Sequence, residues 1–211
     1  MTNFFKNGFK FIDLFAGIGG FHQAMKKLNG RCVFAAEISP ETSETYKDNY
    51  NIEALQDIRT INPDNIPNHD VLCAGFPCQA FSKAGSQKGF GDVRGVLFFD
   101  IIRILKYHKM RYGGPSFLLL ENVRNLVSHD KGRTWQRIKK EIEDVGYNVI
   151  ESPLIVSPHY FGIPQLRERA VIVAVKKEIY NGPIDLKIEK KPRNSCDMSS
   201  VLVTKNTKEY V

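Results

Sequence analysis

Residues 10–30, KFIDLFAGIGGFHQAMKKLNG, decide the fold. The apolar run 10–15 reads as a short buried strand. Gly17, Gly19 and Gly20 then break the pattern. Phe21, Ala24, Met25 and Leu28 recur at helical spacing, and Asn29-Gly30 ends the helix. Strand, glycine turn and helix in this order form the nucleotide-binding opening of a doubly wound α/β sheet. The glycines let a ligand approach the backbone, and the helix amino terminus faces it. His22 occupies the place of the third glycine of the dinucleotide fingerprint, so the turn is not that fingerprint. A tight turn with no ligand has the same pattern, and the case for a ligand rests on two acids further along the chain.

A second strand, residues 31–37 (RCVFAAE), ends on Glu37, twenty residues after Gly17. An acid there can accept hydrogen bonds from a ribose diol. Ser39 as cap, Pro40 at the first helical position and Glu41 behind it predict a helix to about Tyr50. Gln56-Asp57-Ile58 follows a short extended piece and brings a third polar contact to the same sheet edge. Glycine turn, Glu37 and Asp57 together point to an adenosine site.

Residues 69–82, HDVLCAGFPCQAFS, carry the chemistry. The run 71–74 reads as a buried strand ending at Gly75, and Pro77 fixes the backbone beside Cys78. As a nucleophile, Cys78 must be a thiolate that is accessible and near positive charge. Taken alone, a free cysteine is more often a small buried core residue. From Gln79 to Gly95 there is no periodicity, with four glycines and three cations between Lys83 and Gly95. A loop this long in a compact domain serves as a lid or binding loop.

Leu97, Ile101, Ile104 and Leu105 start an amphipathic helix. Residues 116–122 (SFLLLEN) form another buried strand with Glu121 at its carboxyl end. Trp135, Ile138, Ile142 and Val145 mark a helix closed by Gly146. Residues 147–156 read as one strand, 159–164 as a turn-rich loop, and 170–175 as a last strand entered through QLRER. From Lys176 the chain turns polar, with eight Lys or Arg against five acids. The predicted division is a domain over 1–176 and a connector or tail over 177–211.

At 211 residues with 42% hydrophobic content, one domain with a real core is expected. No apolar run approaches the roughly 20 residues of a membrane span, and no signal-peptide pattern opens the chain. The four cysteines, Cys32, Cys73, Cys78 and Cys196, show no metal-ligand spacing, so reduced thiols and no metal are expected. Net charge is +7. Residues 103–140 hold ten Lys or Arg against two acids, Glu121 and Asp130. Such a block suits the phosphates of a polyanion, and equally a solvated helix face.

Taken together, DLFAGIGG, Glu37, Asp57-Ile58, GFPCQAFS, the ENV of residues 121–123 and QLRER resemble the DNA cytosine-5 methyltransferases of bacterial restriction–modification type. The resemblance covers roughly residues 10–176. It implies a doubly wound, mostly parallel Rossmann-like α/β sheet with a C-terminal antiparallel strand and helices on both faces, in a bacterial cytoplasm. It also implies S-adenosylmethionine as cofactor, S-adenosylhomocysteine as product and double-stranded DNA as partner. Phe15, Ala16, Gly17, Ile18 and Gly20 would wrap the cofactor, with Glu37 on the ribose and Asp57 on the adenine amino group. Ile38 and Ile58 would flank the adenine, and Gly75, Pro77 and Leu97 would border the methionine end. Cys78 would be the nucleophile, Glu121 would contact the cytosine ring nitrogen and amino group, and Arg167 and Arg169 would surround the base. Gln79, Ser82, Lys83 and Lys88 would meet DNA.

These residue types suit that chemistry. Cytosine C5 is too electron-poor to attack a methyl sulfonium, and a thiolate adding at C6 makes C5 a carbon nucleophile. Glu121, protonated or sharing a proton with ring N3, would stabilise charge developing on the ring. The arginines would favour the thiolate and polarise the ring carbonyl. A stacked base is out of reach, so the cytosine must be flipped out. Full-length members of the family continue past residue 211 with a target-recognition region and a final helix. A split subunit, a truncated product and an expressed fragment all fit, and a second polypeptide is one expected partner. Three other readings stay open: a non-catalytic nucleic-acid-binding or regulatory fragment, methylation of cytosine in RNA, and a dinucleotide oxidoreductase, which His22 disfavours.

Overall fold

The computed structural model describes residues 7–77 and 96–190. Seven strands form one sheet: β1 (Phe9–Leu14), β2 (Gly30–Ala36), β3 (Val71–Gly75), β4 (Phe117–Val123), β5 (Tyr147–Val149), β6 (Leu154–Val156) and β7 (Arg169–Lys176). The helices are α1 (Gly20–Lys27), α2 (Pro40–Tyr50), α3 (Val96–Tyr112) and α4 (Arg133–Asp144). Spatial order is β2-β1-β3-β4-β7-β5, with β6 also paired to β7. The first four strands are parallel, and β7 runs antiparallel to β4, β5 and β6.

The chain winds outward from β1 in both directions, to β2 on one side and β3 on the other. The carboxyl ends of β1 and β3 therefore flank a topological switch point, where open sheets leave a crevice. Because β7 is antiparallel, its first residue, Arg169, lies at that same edge.

Side chains alternate along each strand, so the two faces build separate cores. Ile12, Leu14, Leu72, Ala74, Leu118, Leu120, Ile172 and Ala174 pack with Phe98, Ile101 and Leu105 of α3 and with Trp135, Ile138 and Ile142 of α4. On the other face Phe11, Val71 and Cys73 meet Met25 of α1, and Ala35 meets Tyr46 of α2. Burying each large apolar side chain contributes about 1.5–3 kcal/mol, and that drive holds helices to both faces. Ser39 caps α2 as its sequence requires, accepting the Thr42 N–H at 3.3 Å.

One expectation needs correction. The single strand expected over residues 147–156 is interrupted. Val149 pairs with Ala174 but Leu154 pairs with Val171, so extra residues bulge out between them. Pro153, which has no N–H for the ladder, lies in that interruption. In the cationic block over 103–140, for which a phosphate-binding face and a solvated helix face both stood open, acids beyond that window pair with part of the charge: Arg137 with Glu141 at 2.6 Å, Lys140 with Asp144 at 3.0 Å and Lys109 with Glu178 at 2.6 Å. Arg103 points inward, donating to the carbonyls of Ile58 at 2.8 Å and Ile61 at 3.0 Å.

The segment after β7 contains no helix or strand through residue 190 but returns to the domain. Asn148 donates its side-chain N–H to Gly182 O at 2.5 Å, and Lys190 Nζ lies 4.1 Å from the centre of the Tyr160 ring. No helix among the described residues is long and apolar enough to cross a membrane.

Candidate active site

The glycine turn after β1 is built for close approach. Phe15 and Gly17 both hold positive φ, 57° and 53°, and Gly19 stands at 94°. A Cβ on Gly17 or Gly20 would meet no atom within 4 Å, so the turn is open above these two positions. Gly19 is different: a Cβ there would lie 2.1 Å from Tyr50 Cε2. Tyr50 supports the turn from α2, donating its hydroxyl to Gly19 O at 3.2 Å and stacking on His22 at 3.8 Å. His22 in turn shares a 2.7 Å hydrogen bond with the Tyr46 hydroxyl. It is a buried brace for the turn.

Glu37, just past β2, joins the turn to the second strand. One carboxylate oxygen accepts the Gly17 N–H and the other the Ser39 N–H, both at 2.9 Å. Two of about four acceptor directions are used, so others remain for hydroxyl donors. Residues 37 and 55 form an isolated parallel bridge, which carries Gln56-Asp57-Ile58 to the same edge.

Between these elements lies a cleft lined by Phe15, Glu37, Ile38, Asp57, Ile58, Pro77 and Leu97, all seven anticipated as cofactor contacts. Ala36, Gln56 and Arg59 complete the lining and were not anticipated. Ile38 is exposed at its rim and Ile58 buried at its base. Ala16, Gly17, Ile18 and Gly20 stand on the adjoining turn, with Ile18 exposed.

At the neighbouring edge position, Gly75 of β3 pairs in register with Glu121 of β4. A Cβ on Gly75 would lie 3.6 Å from Glu121 Oε2 and 3.9 Å from Phe15 O, so Gly75 sits between the glycine turn and this acid. Arg169 Nε is 2.8 Å from Glu121 Oε1. The antiparallel register opposes Glu121 to Val171 and Val123 to Arg169, which makes Glu121 and Arg169 a diagonal pair on one face. Arg167 is exposed on the preceding loop. Ser157, fully buried, holds that loop by accepting the Arg167 backbone N–H at 3.1 Å. Arg124 pairs with Glu168 at 2.5 Å.

Asn122, between Glu121 and Val123, is buried and donates to Phe76 O at 2.8 Å, tying β4 to the chain just before Pro77. Cys78, Gln79, Ser82, Lys83 and Lys88 lie outside the described residues. Of the other cysteines, burial pushes the Cys32 thiol up to about 11 and Cys73 well above its ordinary range. Neither is poised as a thiolate.

Arg59 could have been suspected from its place two residues after Asp57, and Asn122 from its place beside Glu121. Tyr50 and Ser157 carry no local signal, because only the tertiary fold brings them to their partners.

Residues 9–210 match the family model for the C-5 cytosine-specific DNA methylase. The Type II methyltransferase M.DsaV of Dactylococcopsis salina is 48% identical over 168 residues, covering 80% of this chain and 46% of that protein. The Type II methyltransferase M.NlaX of Neisseria lactamica is 49% identical over 170 residues, covering 78% of this chain and 51% of that protein. Among solved structures, the S. pombe Dnmt2 methyltransferase aligns with a TM-score of 0.67 at 26% identity, over 83% of this chain and 53% of its own. The chain thus spans about half the length of the relatives it matches.

Proposed function

Because the chain belongs to the C-5 cytosine-specific DNA methylase family, we propose that it forms the cofactor-binding and catalytic half of an enzyme that methylates C5 of a flipped cytosine in DNA. The observation that carries this reading is the adjacency of two sites across Gly75: the cleft under the glycine turn, and the Glu121–Arg169 pair.

The cleft suits S-adenosylmethionine. Glu37 keeps free acceptor directions for a ribose diol, Asp57 offers an acceptor to an adenine amino group, and Ile38 and Ile58 give apolar walls for the base. Gly17 and Gly20 leave room against the turn, and Pro77 and Leu97 border the far end. When bound, this cofactor supplies an electrophilic methyl group on a sulfonium.

The chain's own residues prepare the acceptor. Cys78 as thiolate adds to C6 of the flipped base, and the electron pair of the C5–C6 bond moves to C5. Glu121 shares a proton with ring N3 and accepts from the amino group, stabilising charge that develops on the ring. Arg169 orients Glu121 through the 2.8 Å contact, and Arg167 with Arg169 presents cations to the ring carbonyl and the thiolate. Loss of the C5 proton and expulsion of Cys78 restore the aromatic ring once C5 carries the methyl group. Gln79, Ser82, Lys83 and Lys88 contact the DNA around the flipped base.

The test is covalent trapping. The chain, alone and supplemented with a polypeptide carrying the remaining half of a relative, is incubated with S-adenosylmethionine and a duplex containing 5-fluorocytosine. Fluorine at C5 blocks the final elimination, so a denaturant-resistant adduct accumulates, and Cys78→Ser abolishes it. An adduct that survives Cys78→Ser refutes the nucleophile. No adduct under either condition refutes catalysis.

A further inference from the structure

The carboxylate of Asp57 does not stand alone at the cleft. Arg59 Nε lies 2.9 Å from each of its oxygens, Nη2 lies 2.5 Å from Oδ2, and the Arg59 backbone N–H donates to Oδ1 at 3.0 Å. These groups make four contacts, two on each oxygen, with the single Nε hydrogen shared between both. Three hydrogens thus face about four acceptor directions, and a ligand can supply one more donor. A guanidinium gripping both oxygens also sets the plane of the carboxylate. Both residues line the cleft.

The turn that carries them is itself held. Thr60 donates its backbone N–H and its hydroxyl to Asp57 O, each at 3.0 Å. From below, Arg103 of α3 donates to the carbonyls of Ile58 and Ile61 and to Asp100 at 3.1 Å. With its backbone fixed on both sides, the orientation of the Asp57 side chain depends chiefly on Arg59.

We propose that Arg59 is a positioning residue for base selection: it holds Asp57 as a fixed acceptor that favours a 6-amino purine over a 6-oxo purine. This rests on reading the cleft as an adenosine site. The physical reason is a matching of partners. An exocyclic amine donates into the remaining acceptor direction, whereas a 6-oxo group brings a second acceptor against an ionised carboxylate and leaves both unpaired. The Arg59 hydrogen bonds, foremost those of its side chain, hold the Asp57 carboxyl below the usual carboxylate range, so the acceptor stays ionised. Among the described residues the other charges near this pair include Glu37 on the same cleft wall, Asp100 of α3, which faces Arg59, and Arg103 of α3, which pairs with Asp100 and donates to Ile58 O.

The experiment titrates S-adenosylhomocysteine and S-inosylhomocysteine into the wild-type chain, Arg59→Ala and Arg59→Lys by calorimetry across pH 4–8. The wild type is expected to prefer the adenosyl ligand by at least about tenfold. Arg59→Ala loses about tenfold for the adenosyl ligand, without a matching loss for the inosyl ligand. Its acid limb of binding also moves to higher pH, because Asp57 protonates more readily. Arg59→Lys recovers part of the affinity, supplying the charge without the planar fork. An equal loss for both ligands with an unmoved acid limb would reduce Arg59 to a merely structural part and overturn the proposal. Tighter adenosyl binding in Arg59→Ala would overturn it too, showing that Arg59 masks Asp57. A wild-type chain that binds neither ligand, or both equally, overturns the adenosine reading itself.

Discussion

Arg169 Nε stands 2.8 Å from Glu121 Oε1, linking the first residue of an antiparallel strand to the carboxyl end of a parallel one. Neither side chain is fully buried: Glu121 is 32% and Arg169 22% exposed. A pair of this kind adds little to stability, so its expected value lies in orientation.

Glu121→Gln and Arg169→Ala should therefore fold with unfolding midpoints close to wild type. Each should slow adduct formation on a 5-fluorocytosine duplex by roughly a hundredfold or more. Quench-flow trapping followed by denaturing electrophoresis measures this. Wild-type trapping rates in either variant would remove the pair from the chemistry.

Asn122→Ala should cost stability as well as rate. The buried amide donates to Phe76 O, and its oxygen accepts the Val123 N–H at 2.8 Å. Deleting it leaves both backbone groups without these partners, at a cost of about 1–3 kcal/mol in urea unfolding. Trapping should slow, because Phe76 lies two residues before Cys78 in the chain. An unchanged urea midpoint would show that the bond is dispensable.

Gly19→Ala should destabilise by more than about 1 kcal/mol, from a φ of 94° and a collision with Tyr50. In the double variant Gly19→Ala/Tyr50→Ala the collision is absent, and the conformational cost of alanine in place of Gly19 adds only to the loss of the Tyr50 contacts themselves. The two substitutions are thus expected to be strongly non-additive in a thermal-unfolding cycle. Additive effects would mean that the turn does not lean on Tyr50.

Two buried groups predict opposite pH limbs. Burial pushes the Asp13 carboxyl up to about 8, against a lowering from the His22 backbone. Between about pH 4 and pH 8 the folded state holds a proton that the unfolded state releases, so stability falls as pH rises through that window. Asp13→Asn should flatten this fall, its advantage over wild type growing up to about pH 8 and then levelling. Burial depresses His69 to about 4. The unfolded state takes up that proton first, so stability is lost as pH falls from about 6.5 to 4. His69→Gln should shrink that limb, leaving the part contributed by His22 and His108, which burial also lowers. Urea midpoints measured across pH 4–9 check both, and parallel wild-type and variant curves would contradict the respective assignment.

Much of the fold was legible because local rules and tertiary packing agree. The glycine break after residue 15, the Ser39-Pro40 start of α2 and the apolar runs of β3 and β4 all landed within a residue or two of their elements. The strand expected over residues 147–156 failed at Glu151-Ser152-Pro153, between the two short strands. The pairing within the charge block was not legible for another reason: a window over residues 103–140 cannot see Glu141, Asp144 or Glu178, which fold or wind back onto it.

The sequence alone established the α/β class, the family and seven of the ten residues that line the cleft. These follow from short-range patterns: strand and helix periods, capping chemistry, and motifs whose residues lie within a few positions of one another. Only the tertiary structure decided which of those side chains are already engaged. Asp57 is gripped by Arg59, Glu37 by two backbone N–H groups, and Glu121 by a residue 48 positions away. The Asp57–Arg59 contact is local, but the Glu121–Arg169 pairing depends on strand register and on the reversal of β7, and a linear pattern of residues does not encode which way the last strand runs.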